Sequence, residues 1–320
     1  MDMCKVGVIY GDELARYSFG DSHPFTSSRL EAFWSMFRGK GLDIDANISI
    51  EQPVPVDEGI LLEFHDKEYV EFVKRASLYG IGYLNHGDTP AYKGVFESAC
   101  YVVGSTLRAL ELVMKGEVEH AFNPIGGLHH ARRNSAGGFC VFNDIGIAVM
   151  IARRVYGIKR IAYIDIDAHH GDGVYYEFED DPLLFIADIH EDGRYLYPGT
   201  GFEYEDGIDR AKGTKLNIPL RPYATTKEFL EAFSRVERFI DECRPELIVL
   251  QCGADGIEGD PLTHLRYGYD VHPKATEVLH RIAHKHCNGR MIALGGGGYN
   301  RYNIALAWVS VVEALLGNRL

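Results

Sequence analysis

Short apolar runs alternate along this chain with longer stretches whose apolar residues recur every three to four positions. The first pattern is that of buried strands and the second that of helices resting one face on a core. The runs predict strands at 5–10, 121–125, 160–167, 183–189, 216–220, 246–251 and 291–294. The periodic stretches predict helices at 29–37, 67–77, 92–115, 143–156, 172–178, 226–243, 272–286 and 302–315. Ser27-Ser28 supplies a start signal for the first helix, and 92–115 is apolar around much of its circumference, as a well-buried helix would be. Strands and helices taken in turn give an α/β protein with a mainly parallel sheet and helices on both faces. No repeat, low-complexity tract or linker interrupts residues 1–320, which reads as one domain.

The polar chemistry gathers just after the strands, where parallel sheets place their sites. The strand at 160–167 runs into Asp165-Ile166-Asp167-Ala168-His169-His170-Gly171-Asp172. Side chains alternate along a strand, so Asp165 and Asp167 share a face, and His169 continues that set if the extension persists. Carboxylate and imidazole together suit a borderline metal such as zinc, and burying such a group unpaired is costly. Asp172 also reads as a cap for the next helix.

Three more clusters follow the strands at 121, 246 and 291. They are Gly126-Gly127-Leu128-His129-His130-Ala131, Gly253-Ala254-Asp255-Gly256-Ile257-Glu258-Gly259-Asp260-Pro261 and Gly295-Gly296-Gly297-Gly298-Tyr299-Asn300. Beside an acidic strand end, the His129-His130 pair favours catalytic imidazoles over structural ones. The glycine run lacks both a Gly-Lys-Ser/Thr ending and a GxGxxG register. It reads instead as backbone in close approach, delivering Tyr299. Phe139, Tyr197 and Tyr267 are loop aromatics along the same edge, and Cys140 lies nearby. The loop at 79–90 is long enough to suggest function and ends in Gly87-Asp88-Thr89-Pro90.

Composition narrows the field. A formal net charge of −13 over 320 residues excludes the basic footprint of a nucleic-acid binder. Six cysteines at 4, 100, 140, 243, 252 and 287 form no CxxC pair, so a reducing, cytoplasmic setting is expected. Residues 1–10 run straight into a strand without a basic-then-apolar leader. The apolar stretch 304–316 is too short to span a bilayer, so no membrane is expected.

In order, the motifs GxHHA, GGFC, DxDxHHGDG, GDP and GGGGYN resemble the zinc-dependent histone deacetylase superfamily, including acetoin-utilisation-like deacetylases and acetylpolyamine amidohydrolases. The resemblance runs from His23-Pro24 to the last helix and implies the arginase/deacetylase fold. It implies one catalytic Zn2+ on Asp167, His169 and Asp260. His129 and His130 would be the active-site pair, with Asp165 and Asp172 as their partners and Tyr299 as the catalytic tyrosine. Phe139, Gly138 and Tyr197 would line an acyl-lysine tunnel, Tyr267 its gate, Asp88 its rim, and Arg29 an inner acetate pocket. A structural K+ or Na+ would sit on backbone carbonyls of Asp165, Asp167 and His169, with Asp188 where many relatives carry a hydroxyl.

The implied activity is removal of acetyl or other acyl groups from lysine side chains of proteins, with acetylated polyamines as the alternative substrate. Two other readings share the motifs. A two-metal ureohydrolase would need a carboxylate at position 171, where this chain has Gly171. An inactive acyl-lysine binding module would leave the complete set of candidate catalytic residues without a purpose.

Overall fold

A computed structural model describes residues 4–317. Positions 1–3 of the first apolar stretch therefore lie outside the described residues. The strands are β1 (Val6–Ile9), β2 (Ile48–Glu51), β3 (His120–Asn123), β4 (Ile161–Asp165), β5 (Leu184–Glu191), β6 (Lys215–Leu220), β7 (Leu247–Gln251) and β8 (Met291–Leu294). The α-helices are α1 (Asp12–Ala15), α2 (Ser28–Gly39), α3 (Glu58–Leu61), α4 (Lys67–Tyr79), α5 (Val95–Met114), α6 (Asp144–Tyr156), α7 (Asp172–Glu177), α8 (Thr226–Cys243), α9 (Val271–His286) and α10 (Arg301–Leu315).

The eight strands form one sheet in the order β2-β1-β3-β8-β7-β4-β5-β6, every neighbouring pair parallel. Strands β1, β3, β4, β7 and β8 are buried along their whole length, which is why they read as unbroken apolar runs rather than alternating ones. Helices α4, α5 and α6 form one packed group, and α2, α10, α9 and α8 pack in series as the other. Among the described residues, no helix is long and apolar enough to cross a membrane.

Two expectations shift. The edge strand β2 is absent from the sequence reading, because its four residues Ile-Ser-Ile-Glu are all half-buried and too few to establish a period. The central strand ends at Asp165 rather than 167. Its last ladder contact passes from Ile166 N to Gln251 O, after which the chain bends.

This strand order builds the site. Strands β3, β8, β7 and β4 are consecutive in the sheet although they are far apart in the chain. The four polar clusters follow these four strands, so they emerge side by side at one edge.

Candidate active site

The chain after β3 is held before it reaches the histidines. Asp144, the first residue of α6, accepts from Gly127 N (3.0 Å) and Leu128 N (2.7 Å) and from Thr106 Oγ1 (2.6 Å). Gly127 has φ 90°, and a Cβ there would lie 2.9 Å from Gly296 N, so the chain after β3 needs a glycine where the run after β8 comes against it. Below the pair, Gly173 of α7 lets the helix start directly under the carbonyls of His129, His130 and Ala131.

The two imidazoles are buried and differently poised. His129 Nδ1 is 2.7 Å from Asp165 Oδ2, which also accepts from the Tyr163 hydroxyl. His130 Nδ1 is 2.6 Å from Asp172 Oδ1, and Arg132 Nη2 reaches the other oxygen at 2.9 Å. The two Nε2 atoms face each other at 3.1 Å. Burial opposes a charge on His129, but Asp165 and Asp167 outweigh it and raise the ring to about 9. Burial and the charge on His129 push His130 down to about 4. Near neutral pH the first ring is therefore held toward its charged form and the second toward its neutral form, with Nε2 unprotonated.

Beside them, His169 Nδ1 lies 3.0 Å from both Asp167 Oδ1 and Asp255 Oδ2. Asp167 Oδ2 accepts from Gln251 Nε2 (2.8 Å) and Gly297 N (2.7 Å). The ligand-type atoms of Asp167, His169 and Asp255 lie within 4.8 Å of one another. Asp260 stands outside this tight group, its oxygens accepting from Leu262 N (2.9 Å) and Tyr299 N (2.8 Å). Burial and the neighbouring Asp167 raise Asp255 to about 7, and burial raises Asp260 as well. Buried carboxylates crowded around one imidazole form a donor set that fits a divalent ion of the zinc type.

These groups open onto a pocket of ≈ 230 Å³ lined by His129, His130, Asp167, His169 and Tyr299, with Phe25, Phe139, Tyr197, Leu196 and Leu262 as apolar walls. Tyr197, 46% exposed, stands at the mouth with its ring 5.0 Å from that of His130. Phe139 meets Tyr299 edge-on at 5.8 Å. Its backbone sits at φ 68°, pinned by Tyr17 Oη to its carbonyl (2.7 Å) and by Thr89 Oγ1 at its N–H (3.1 Å). Gly138 N donates to Asp88 Oδ2 at 3.3 Å, which ties the 79–90 loop to the rim.

Arg29 is buried, donates to the carbonyls of Gly296 and Gly298, lies over Phe25 at 3.9 Å, and keeps Nη1 without a partner. Asp188 pairs with His190 Nδ1 at 2.6 Å and accepts from Gly171 N at 2.9 Å. His190 Nε2 meets the Gly201 carbonyl at 2.8 Å, so both its nitrogens donate and Asp188 is neutralised within the fold.

Tyr267 is corrected. It is 1% exposed and absent from the pocket wall. The chain after Asp260 turns back so that Tyr267 bridges to Ile257 and packs its ring 5.0 Å from Phe229. Leu262 takes the place on the wall. Asp144, Gln251, Arg132 and Asp255 had no assigned role in the sequence reading. Only Asp144 carried a usable signal, the Asn143-Asp144 pair opening a helix.

Comparisons with known proteins give a consistent picture. The profile of a family described as histone deacetylase domain matches residues 23–315. The acetoin utilization protein AcuC of Bacillus subtilis (strain 168) is 36% identical over 318 residues, covering 95% of this chain and 80% of that protein. The AcuC of Staphylococcus aureus (strain MSSA476) is 34% identical over 324 residues, covering 98% and 82%. The crystal structure of the HDA15 HD domain superposes with a TM-score of 0.91 at 25% identity, covering 98% of this chain and 88% of that one.

Proposed function

The chain belongs to the histone deacetylase family, and we propose that it is a zinc-dependent hydrolase removing acetyl groups from lysine side chains of proteins. The observation that carries the reading is the pair of buried imidazoles, each on its own carboxylate, beside the Asp167–His169 group at an aromatic-walled pocket. Asp167, His169 and Asp260 would hold the ion, with Asp255 fixing the His169 ring and Gln251 fixing Asp167.

When bound, zinc supplies Lewis-acid polarisation of the amide and a water of lowered pKa. His130 Nε2 takes the proton of the attacking water and returns it to the leaving amine, while Asp172 and Arg132 hold the ring. The cation on His129 stabilises the negative charge that develops beside it. The Tyr299 phenol, kept neutral by burial, donates to the carbonyl oxygen as it becomes an oxyanion. Phe139 and Tyr197 shelter the apolar lysine stem, and Asp88 meets the substrate backbone at the rim. Arg29, with a free Nη1, receives the acetate at the inner end.

A K+ or Na+ on the carbonyls of Asp165, Asp167 and His169 belongs to the same reading. So does a cytoplasmic setting, which the six unpaired cysteines fit. The ureohydrolase alternative loses ground, since a Cβ at Gly171 would lie 2.6 Å from Asp165 Oδ2.

The test is turnover of an acetyl-lysine peptide against N-acetylputrescine, with Tyr299→Phe as control. The peptide is the better substrate, and the variant loses on the order of 10²–10³ in kcat. A preference for the polyamine, or an unimpaired variant, overturns the assignment.

A further inference from the structure

At the N-terminal edge of the sheet, opposite the strand ends that carry the pocket, a second group of ligand-type side chains converges. Cys4 leads into β1, and His120 opens β3, whose register sets Val6 beside it. His280 and His284 sit one turn apart on α9, on the same face. The sulfur and imidazole nitrogens of these four residues lie within 4.8 Å of one another. Cys4 Sγ is 3.3 Å from His284 Nε2. The His120 ring centre is 4.8 Å from that of His280 and 5.3 Å from that of His284.

A second observation points to a ligand. His120 is fully buried, and neither of its ring nitrogens has a hydrogen-bond partner. His280 Nδ1 is orphaned in the same way. Interiors rarely leave such atoms unmatched, and here three unmatched nitrogens belong to residues of one cluster. Glu119, whose charge acts on Cys4, is itself engaged by Lys5 N at 2.7 Å, so it does not answer them.

We infer that Cys4, His120, His280 and His284 form a second metal site, distinct from the catalytic one, for zinc or a similar divalent ion. One thiolate and three imidazoles are a complete tetrahedral donor set with no open position, the mark of a structural rather than catalytic ion. Binding would clip the chain before β1 to the sheet and to α9, with loss of the Cys4 thiol proton. The inference stands independently of the deacetylase reading.

The experiment is titration of the metal-stripped, untagged protein with Co2+, followed by absorption. The catalytic ligand set of Asp167, His169 and Asp260 contains no sulfur, so a thiolate-to-cobalt charge-transfer band that depends on Cys4 reports the second site. The wild type is expected to bind about two ions per chain and show the band. Cys4→Ser is expected to bind about one, lose the band and keep its hydrolase activity. His284→Ala, at the exposed ligand, is expected to weaken the band at unchanged helicity. Asp167→Asn is expected to retain the band, which separates this site from the catalytic one. A wild type that saturates without the band, or a Cys4→Ser protein with unchanged stoichiometry and spectrum, overturns the inference.

Discussion

His129 Nε2 and His130 Nε2 face each other at 3.1 Å, while each ring's Nδ1 is held by a different carboxylate. Two ionised carboxylates fix a proton on each Nδ1, so the facing nitrogens share one proton between them. That proton belongs to His129, raised to about 9, and leaves His130, lowered to about 4, as the base.

Removing the base by His130→Ala is expected to lower kcat on the order of 10²–10⁴ with a small change in KM. His129→Asn removes the charge that helps hold His130 down. The acid limb of the kcat/KM profile should therefore move to higher pH, from near the His130 value of about 4 toward the ordinary histidine range. A limb that stays in place would show that His129 exerts no such field.

The second carboxylate of the metal site can be assigned by affinity. Zinc competition against a chelator is expected to show near-complete loss for Asp260→Ala. Asp255→Asn, which disturbs only the group orienting His169, is expected to lose about 10–100-fold. The reverse ranking would make Asp255 the ligand, as its place in the tight cluster would allow.

The Gly138 backbone lies against the ring of the base. A Cβ there would lie 2.7 Å from His130 Cγ, and φ is 51°. Gly138→Ala is expected to displace the ring and cost on the order of 10² in kcat/KM while the thermal midpoint falls only slightly. Activity equal to wild type would mean that the rim loop yields instead.

His65 carries a pH-dependent part of stability. Its Nε2 accepts from Asn143 N at 2.9 Å and its Nδ1 donates to the Arg133 carbonyl at 3.2 Å, so only the neutral ring fits. Burial lowers it from 6.5 to about 4. The folded state prefers the neutral form, so the contribution is complete above pH ~6.5 and fades as pH falls toward about 4, by at most about 3 kcal/mol. Urea unfolding of His65→Gln between pH ~7.5, above that window, and pH ~4.5, near its lower end, should show a shallower loss than wild type. Equal slopes would remove His65 from the account.

The α/β alternation was legible because fully buried parallel strands write themselves as apolar runs and their covering helices as periodic ones. The site was legible because acids and histidines stand out at strand ends. Parts of it stayed hidden for physical reasons. Gln251 carries no charge to flag it, although it holds Asp167. Asp255 and Asp260 share one acidic loop, and spacing alone does not say which one turns toward His169. Tyr267 was misplaced because its position depends on a backbone bridge to Ile257, a nonlocal contact that no count of residues past Asp260 reveals.

The decisive measurement is kcat/KM on an acetyl-lysine peptide for the metal-stripped chain, the zinc-restored chain and Asp167→Asn. Stripping should abolish turnover, zinc should restore it, and Asp167→Asn should stay inactive with zinc present. Turnover that survives stripping, or an Asp167→Asn protein as active as wild type, would contradict the hydrolase mechanism drawn from this site.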